Sequence, residues 1–150
     1  MRSYTIIVSI IATLASACAI SCASQGDKQP QATTDEMVNH IEVIYFHGNM
    51  RCITCKAIEK YARETVDSIF PDEKESGRVI FRTVNITDNE EMADNYQASG
   101  SSLFVTSLAD GHESRKDLTE YGFRTARRHH EMFQDSLASA IRQSLENLKP

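Results

Sequence analysis

The chain has 150 residues, 41% of them hydrophobic and 25% charged, with a formal net charge of −5. That balance fits a single globular domain, and the acidic excess speaks against a nucleic-acid partner, because phosphate binding needs surplus Lys and Arg. Four cysteines could form a small disulfide framework, but their placement divides them into two separate pairs.

Residues 1–22 read as an export signal ending in a lipidation motif. Arg2 supplies a short positive start, residues 4–14 are apolar, and a run of small residues leads to Cys18 and Cys22. The apolar run is short for a membrane-spanning helix and polar sequence follows it, so a cleaved signal is expected. Small residues directly before a cysteine resemble the lipobox of bacterial lipoproteins, where the thiol is acylated and becomes the new N-terminus. Cys22 is the expected site, because apolar character continues to Ile20 and because cleavage at Cys18 would leave Cys22 as an odd free thiol. Cys18 is the alternative, and simple cleavage after Ala17 would give a soluble periplasmic protein. Residues 23–37 are polar and carry Gly, Pro, Gln and Thr, the composition of a flexible tether. About 110 residues, 38–150, are left for the fold, enough for one hydrophobic core.

Within that domain, residues 41–47 (IEVIYFH) are dense in β-branched and aromatic side chains and predict a buried strand. Residues 48–51 form a turn. From Cys52 the period becomes helical, with Ile58, Tyr61, Ala62, Thr65, Val66, Ile69 and Phe70 on one face, and Pro71 is expected to stop the helix. Residues 78–86 predict a second strand. Residues 88–96 predict a short polar helix, with Asp88 as N-cap and Glu91 completing a capping box. Residues 101–108 predict a third strand, Asp110-Gly111 a hairpin turn, and residues 113–118 an edge strand. A final helix over residues 125–148 carries Phe133, Leu137, Ile141, Leu145 and Leu148 as its apolar stripe. The β–α–β start implies parallel strands, and the hairpin adds an antiparallel edge.

The chemistry is expected at Cys52-Ile53-Thr54-Cys55. Two residues apart, these cysteines close a loop too short to staple much of a fold. At the start of a helix, Cys52 meets the positive end of the dipole and unpaired backbone N–H groups, which favour the thiolate. Cys55 lies nearly a turn inside. Cys52 is therefore the expected nucleophile and Cys55 the resolving thiol, with a Cys52–Cys55 disulfide as the oxidised state. Arg51 and Lys56 flank the pair with positive charge, and His47 at the strand end is a candidate to assist or to shuttle a proton. A structural zinc site needs four ligands, and there is no second CxxC. His112 and the pair His129-His130 are the distant ligand candidates, the pair reading as a solvated helix start.

This chain resembles thioredoxin-like proteins at Cys52-Ile53-Thr54-Cys55-Lys56 and in the order of its elements over residues 38–148. The longer pattern Tyr45-Phe46-His47-Gly48, Arg51-Cys52 and Thr54 through Tyr61 is similar to the ArsF-type nitrophenyl-compound nitroreductase subunit family of Bacteroidota-type bacteria. The resemblance implies an α/β, thioredoxin-like three-layer sandwich: a central mixed sheet of about four strands, an antiparallel edge hairpin and helices on both faces. It also implies a redox-active dithiol. Reducing a nitro group requires flavin or iron–sulfur chemistry, and the chain has neither a dinucleotide glycine motif nor enough cysteines. No cofactor of its own is expected, and the chain alone would relay electrons to a partner protein of the cell envelope.

The chain departs from ordinary thioredoxins in three ways. Ile53-Thr54 replaces Gly-Pro, the first strand offers only Glu42 as a carboxylate, and residues 99–102 (SGSS) lack the proline expected to face the dithiol. Ser101 and Ser102 are expected there instead, opening space at the two thiols. Two other readings compete with thiol–disulfide exchange. One is a metal-handling module taking a soft ion through Cys52 and Cys55. The other is an interaction module whose disulfide is only structural.

Overall fold

A computed structural model describes residues 39–148. The leader with Cys18 and Cys22, and the tether, lie outside the described residues. The chain runs β1 (His40–His47), α1 (Ile53–Ile69), α2 (Pro71–Glu75), β2 (Val79–Asn85), α3 (Glu90–Asn95), β3 (Ser102–Ala109), β4 (His112–Asp117), α4 (Thr119–Thr125) and α5 (His130–Asn147).

The strands form one sheet in the order β2-β1-β3-β4. β1 and β2 are parallel, whereas β3 is antiparallel to both β1 and β4. Alternation along β1 sends Ile41, Val43 and Tyr45 to one face, where Ile58, Ala62 and Val66 of α1 meet Phe133, Leu137 and Ile141 of α5. Ile44 and Phe46 point the other way and join Val84, Phe104 and Tyr96 beneath α3. The expected mixed four-stranded sheet with helices on both faces is therefore present. The β3–β4 turn has Asp110 and Gly111 at φ of 51° and 78°, the left-handed geometry that an Asp-Gly hairpin provides. All six residues of β4 are exposed, as an edge strand carrying charges of both signs can be.

On the α3 face, Tyr96 donates a hydrogen bond to Glu113 (2.7 Å) and meets the Thr106 hydroxyl at 3.2 Å. Burial and the hydrogen bond to Glu113 push the Tyr96 hydroxyl up to about 12. Arg115 holds the Glu113 carboxyl below its ordinary value. This network ties the exposed edge strand to α3.

Three boundaries differ from the sequence reading. Pro71 does not simply end the helix: α1 stops at Ile69, and Pro71 opens α2 at a position where its missing N–H costs nothing. Asp88 does not cap α3. The helix begins at Glu90 after Asn89, which makes no side-chain capping bond, because residues 85–89 are organised by Asn85. Its carbonyl accepts from the backbone N–H groups of Asp88 and Asn89, and its side-chain oxygen from that of Thr87.

The final helix begins later than expected: within residues 125–148 it starts only at His130, and a separate short helix, α4, precedes it. α4 starts at Thr119, where the Asp117 carboxylate takes the Thr119 N–H at 2.7 Å while the Thr119 hydroxyl accepts from Leu103 N–H. It ends where the Thr125 hydroxyl bonds back to the Tyr121 carbonyl and the Thr125 carbonyl accepts from both Arg128 and His129 N–H.

Candidate functional site: the Cys52–Cys55 dithiol

The loop of residues 48–51 leaves the C-terminal end of β1 and delivers Cys52 to the N-cap of α1. Cys52 is in extended backbone (φ −71°, ψ 163°), and its sulfur accepts the Cys55 backbone N–H at 3.0 Å. It thus satisfies one of the donors a helix start leaves open. The Cys52 carbonyl accepts from Lys56 N–H at 3.0 Å, closing the first turn. Cys52 and Cys55 are joined by a disulfide, with their Cα atoms 5.0 Å apart.

The two sulfur-bearing residues are unequal. Cys52 is exposed, whereas Cys55 is only 7% exposed. No acidic side chain occupies the first turn of α1, so the positive end of its dipole is not offset there. Met50 (94% exposed) and Ile53 (69%) flank Cys52 as bare apolar side chains.

His47 ends β1 on the Tyr45 side of the sheet, its ring 6.2 Å from that of Tyr45. Its Nδ1 lies 3.0 Å from the Gly48 carbonyl. A carbonyl can only accept, so Nδ1 carries the hydrogen and Nε2 remains the basic nitrogen. Lys56 is exposed on α1. Arg51 does not extend into water. Its guanidinium lies over the Tyr45 ring, 5.7 Å from the centroid, and forms an ion pair with Glu59.

Two residues of this assembly carried no role in the sequence reading. One is Tyr45, fully buried, whose hydroxyl donates to the Cys55 carbonyl at 2.8 Å. A tyrosine among apolar strand residues is itself a signal, because a buried hydroxyl needs a partner. The other is Glu59, whose spacing of one turn from Cys55 leaves it on the helix face nearest the incoming loop.

Ser102 was expected beside the dithiol. Instead it pairs with Phe46 on the α3 side of the sheet, and its hydroxyl donates to the Gly100 carbonyl at 3.3 Å. Glu42 also lies on the α3 side, bound to Arg82 at 3.1 and 3.2 Å. It shares no face with α1. His129 and His130 are exposed at the start of α5, where the His130 ring stacks on Tyr61 at 4.7 Å. Among the described residues no group of three or more His, Cys, Asp or Glu is placed to hold a metal ion. A groove of about 720 Å³ lies at the opposite end of the sheet, bordered by His40, Glu42, Leu108 and Glu113, and does not include either cysteine.

The sheet order, the helices on both faces and a disulfide at the start of α1 define a thioredoxin-like α/β domain with a CxxC centre. No family model matches the chain, and no curated protein matches it. Among solved structures it is similar to a thioredoxin from Thermus thermophilus, at 15% identity and a TM-score of 0.46, over 67% of this chain and 73% of that one. It is also similar to human ERp44, at 20% identity and a TM-score of 0.46, over 69% of this chain and 24% of that one. A third similarity is to the first two thioredoxin domains of Naumovozyma dairenensis Eps1p, at 18% identity and a TM-score of 0.36, over 47% and 26% of the two chains. The chain spans about a quarter of the length of the ERp44 and Eps1p structures.

Proposed function

We propose that this domain is a thiol–disulfide oxidoreductase that cycles Cys52 and Cys55 between disulfide and dithiol. The observation that carries the reading is the asymmetry of the pair. An exposed sulfur at the N-cap accepts a backbone N–H at 3.0 Å, and its partner is buried one turn inside. In the reducing direction, the Cys52 thiolate attacks one sulfur of a partner disulfide. A mixed disulfide forms and the other partner sulfur leaves as thiolate. Cys55, losing its proton, then attacks the Cys52 sulfur and expels the second partner thiolate. The partner gains two electrons and the Cys52–Cys55 disulfide is the oxidised product. His47, at the end of β1, is the candidate base for the Cys55 proton. The same steps reversed oxidise a partner dithiol.

Equilibration with glutathione buffers, read by thiol-specific alkylation and mass, tests this. The expected potential lies within the span of catalytic dithiols, about −120 to −270 mV. A value below about −300 mV would mark a structural disulfide and remove the reading.

The resemblance to a nitroreductase subunit supports a narrower role, an electron relay within a larger reductase of the cell envelope. Export and anchoring belong to the same proposal, with Cys22 lipidated after signal cleavage. Mass spectrometry of the mature protein is expected to find an acylated N-terminal peptide starting at Cys22. An unmodified N-terminus at Cys18 or Ala23 would contradict it.

A further inference from the structure

We propose that Glu59 is a positioning residue of the dithiol, holding Arg51 over Tyr45 and so restraining the acidity of Cys52. The proposal rests on the redox reading of the pair.

Arg51 directly precedes the nucleophile. Left in water, its charge would be screened and mobile. The structure seats it instead: its side chain is 23% exposed, its guanidinium covers the Tyr45 ring, and Glu59, itself 20% exposed, pairs with it. The contacts form a closed circuit. Tyr45 donates to the Cys55 carbonyl, Arg51 covers Tyr45, and Glu59 returns the connection to α1 one turn beyond Cys55. The loop that carries Cys52 is thereby clamped to the second turn of its own helix.

The electrostatic consequence has a definite sign. Arg51 favours a thiolate at the neighbouring Cys52, and the Glu59 carboxylate opposes it. Together they carry no net charge, so the helix dipole acts without the added help that Arg51 would otherwise give. Arg63 also approaches Glu59, at 3.7 Å, but from the far side along the helix. Lys56 and Lys60 on α1, and His47 and Tyr45 on β1, are unchanged in the variants below.

The test measures the pH dependence of Cys52 alkylation by iodoacetamide in the full chain carrying Cys55→Ser. Glu59→Gln is expected to move the midpoint down by as much as about one unit, roughly a tenfold change in ionisation constant. Arg51→Gln is expected to move it up, and the double variant to return close to the parent. Glu59→Asp, which keeps the charge, should move it least. A purely structural ion pair would change the thermal midpoint and leave the alkylation profile where it was; that result overturns the proposal, as does an upward shift in Glu59→Gln. If Glu59→Gln does not fold, the Arg51→Gln arm decides alone: an unmoved profile there also overturns it. Failure of the redox reading looks different. The parent thiol would then titrate near the ordinary value of about 8.5, whatever the variants do.

Discussion

Cys55→Ser is expected to leave a fast-alkylating thiol that accumulates stable mixed disulfides with partner proteins, and Cys52→Ser is expected to accumulate few or none. The reason lies in where the two sulfurs sit. Cys52 is exposed at the N-cap of a 17-residue helix, with a backbone N–H already aimed at its sulfur and no carboxylate in the first turn. A thiolate there gains both the hydrogen bond and the dipole. Cys55 is buried, and its carbonyl is held by the Tyr45 hydroxyl. Its thiolate would lose water without gaining a comparable partner, which raises the cost of ionising it. At neutral pH the alkylation rates of the two variants should differ by about tenfold or more, in favour of the variant that keeps Cys52. With Cys55 gone, no internal thiol remains to resolve the mixed disulfide, so the trapped partner can be recovered on a non-reducing gel and identified. Equal rates, with no partner held by either variant, would favour a disulfide that is only structural.

The exposed side chains at Met50 and Ile53 fit this asymmetry. A partner disulfide must approach Cys52 closely enough for in-line attack, and Met50 and Ile53 beside it are exposed apolar side chains. Of the two flanking cations, Lys56 is exposed, whereas Arg51 is turned inward onto Tyr45 and Glu59.

Much of this arrangement was legible in the sequence, for identifiable reasons. β1 is continuous in β-branched and aromatic residues because both of its faces are covered, and such a run leaves few alternatives. The Asp-Gly turn could be read directly, since few dipeptides adopt two successive left-handed residues. The cysteine spacing pointed to the candidate site, where the structure places the Cys52–Cys55 disulfide. What could not be read was the partner of each polar group. The pairing of Arg51 with Glu59 depends on a loop folding back over a ring. The bond from Tyr45 to Cys55 joins residues on two elements. The short helix α4 and the late start of α5 were hidden because hydrogen bonds to the Thr125 carbonyl, and not any feature of the apolar stripe, set the break between them. Asp88 offered a capping-box spacing, but Asn85, the last residue of β2 and three residues earlier, had already committed the turn.

Phe133→Ala is expected to be the most destabilising single truncation on the helical side of the sheet. Phe133 has no exposed surface and stands in the first turn of α5. A Cβ built on Gly122 would lie 3.4 Å from its ring and 3.4 Å from Ile58, so the ring rests against the bare backbone of α4 and the second turn of α1 together. One side chain thus joins the three helices of that layer. Removing it opens a cavity that Gly122 cannot fill, at a cost of about 3–5 kcal/mol. A domain of this size has about 5–15 kcal/mol in total, so the oxidised variant should unfold at a much lower urea concentration with little change in slope. Phe123, the next residue after Gly122 but 42% exposed, supplies the control: Phe123→Ala should stay within about 0.5 kcal/mol of the parent. A Phe133→Ala loss under about 1 kcal/mol would mean that α5 does not brace α1 in this way. The helix that presents Cys52 would then owe its position to the sheet and to the Tyr45–Arg51–Glu59 circuit alone.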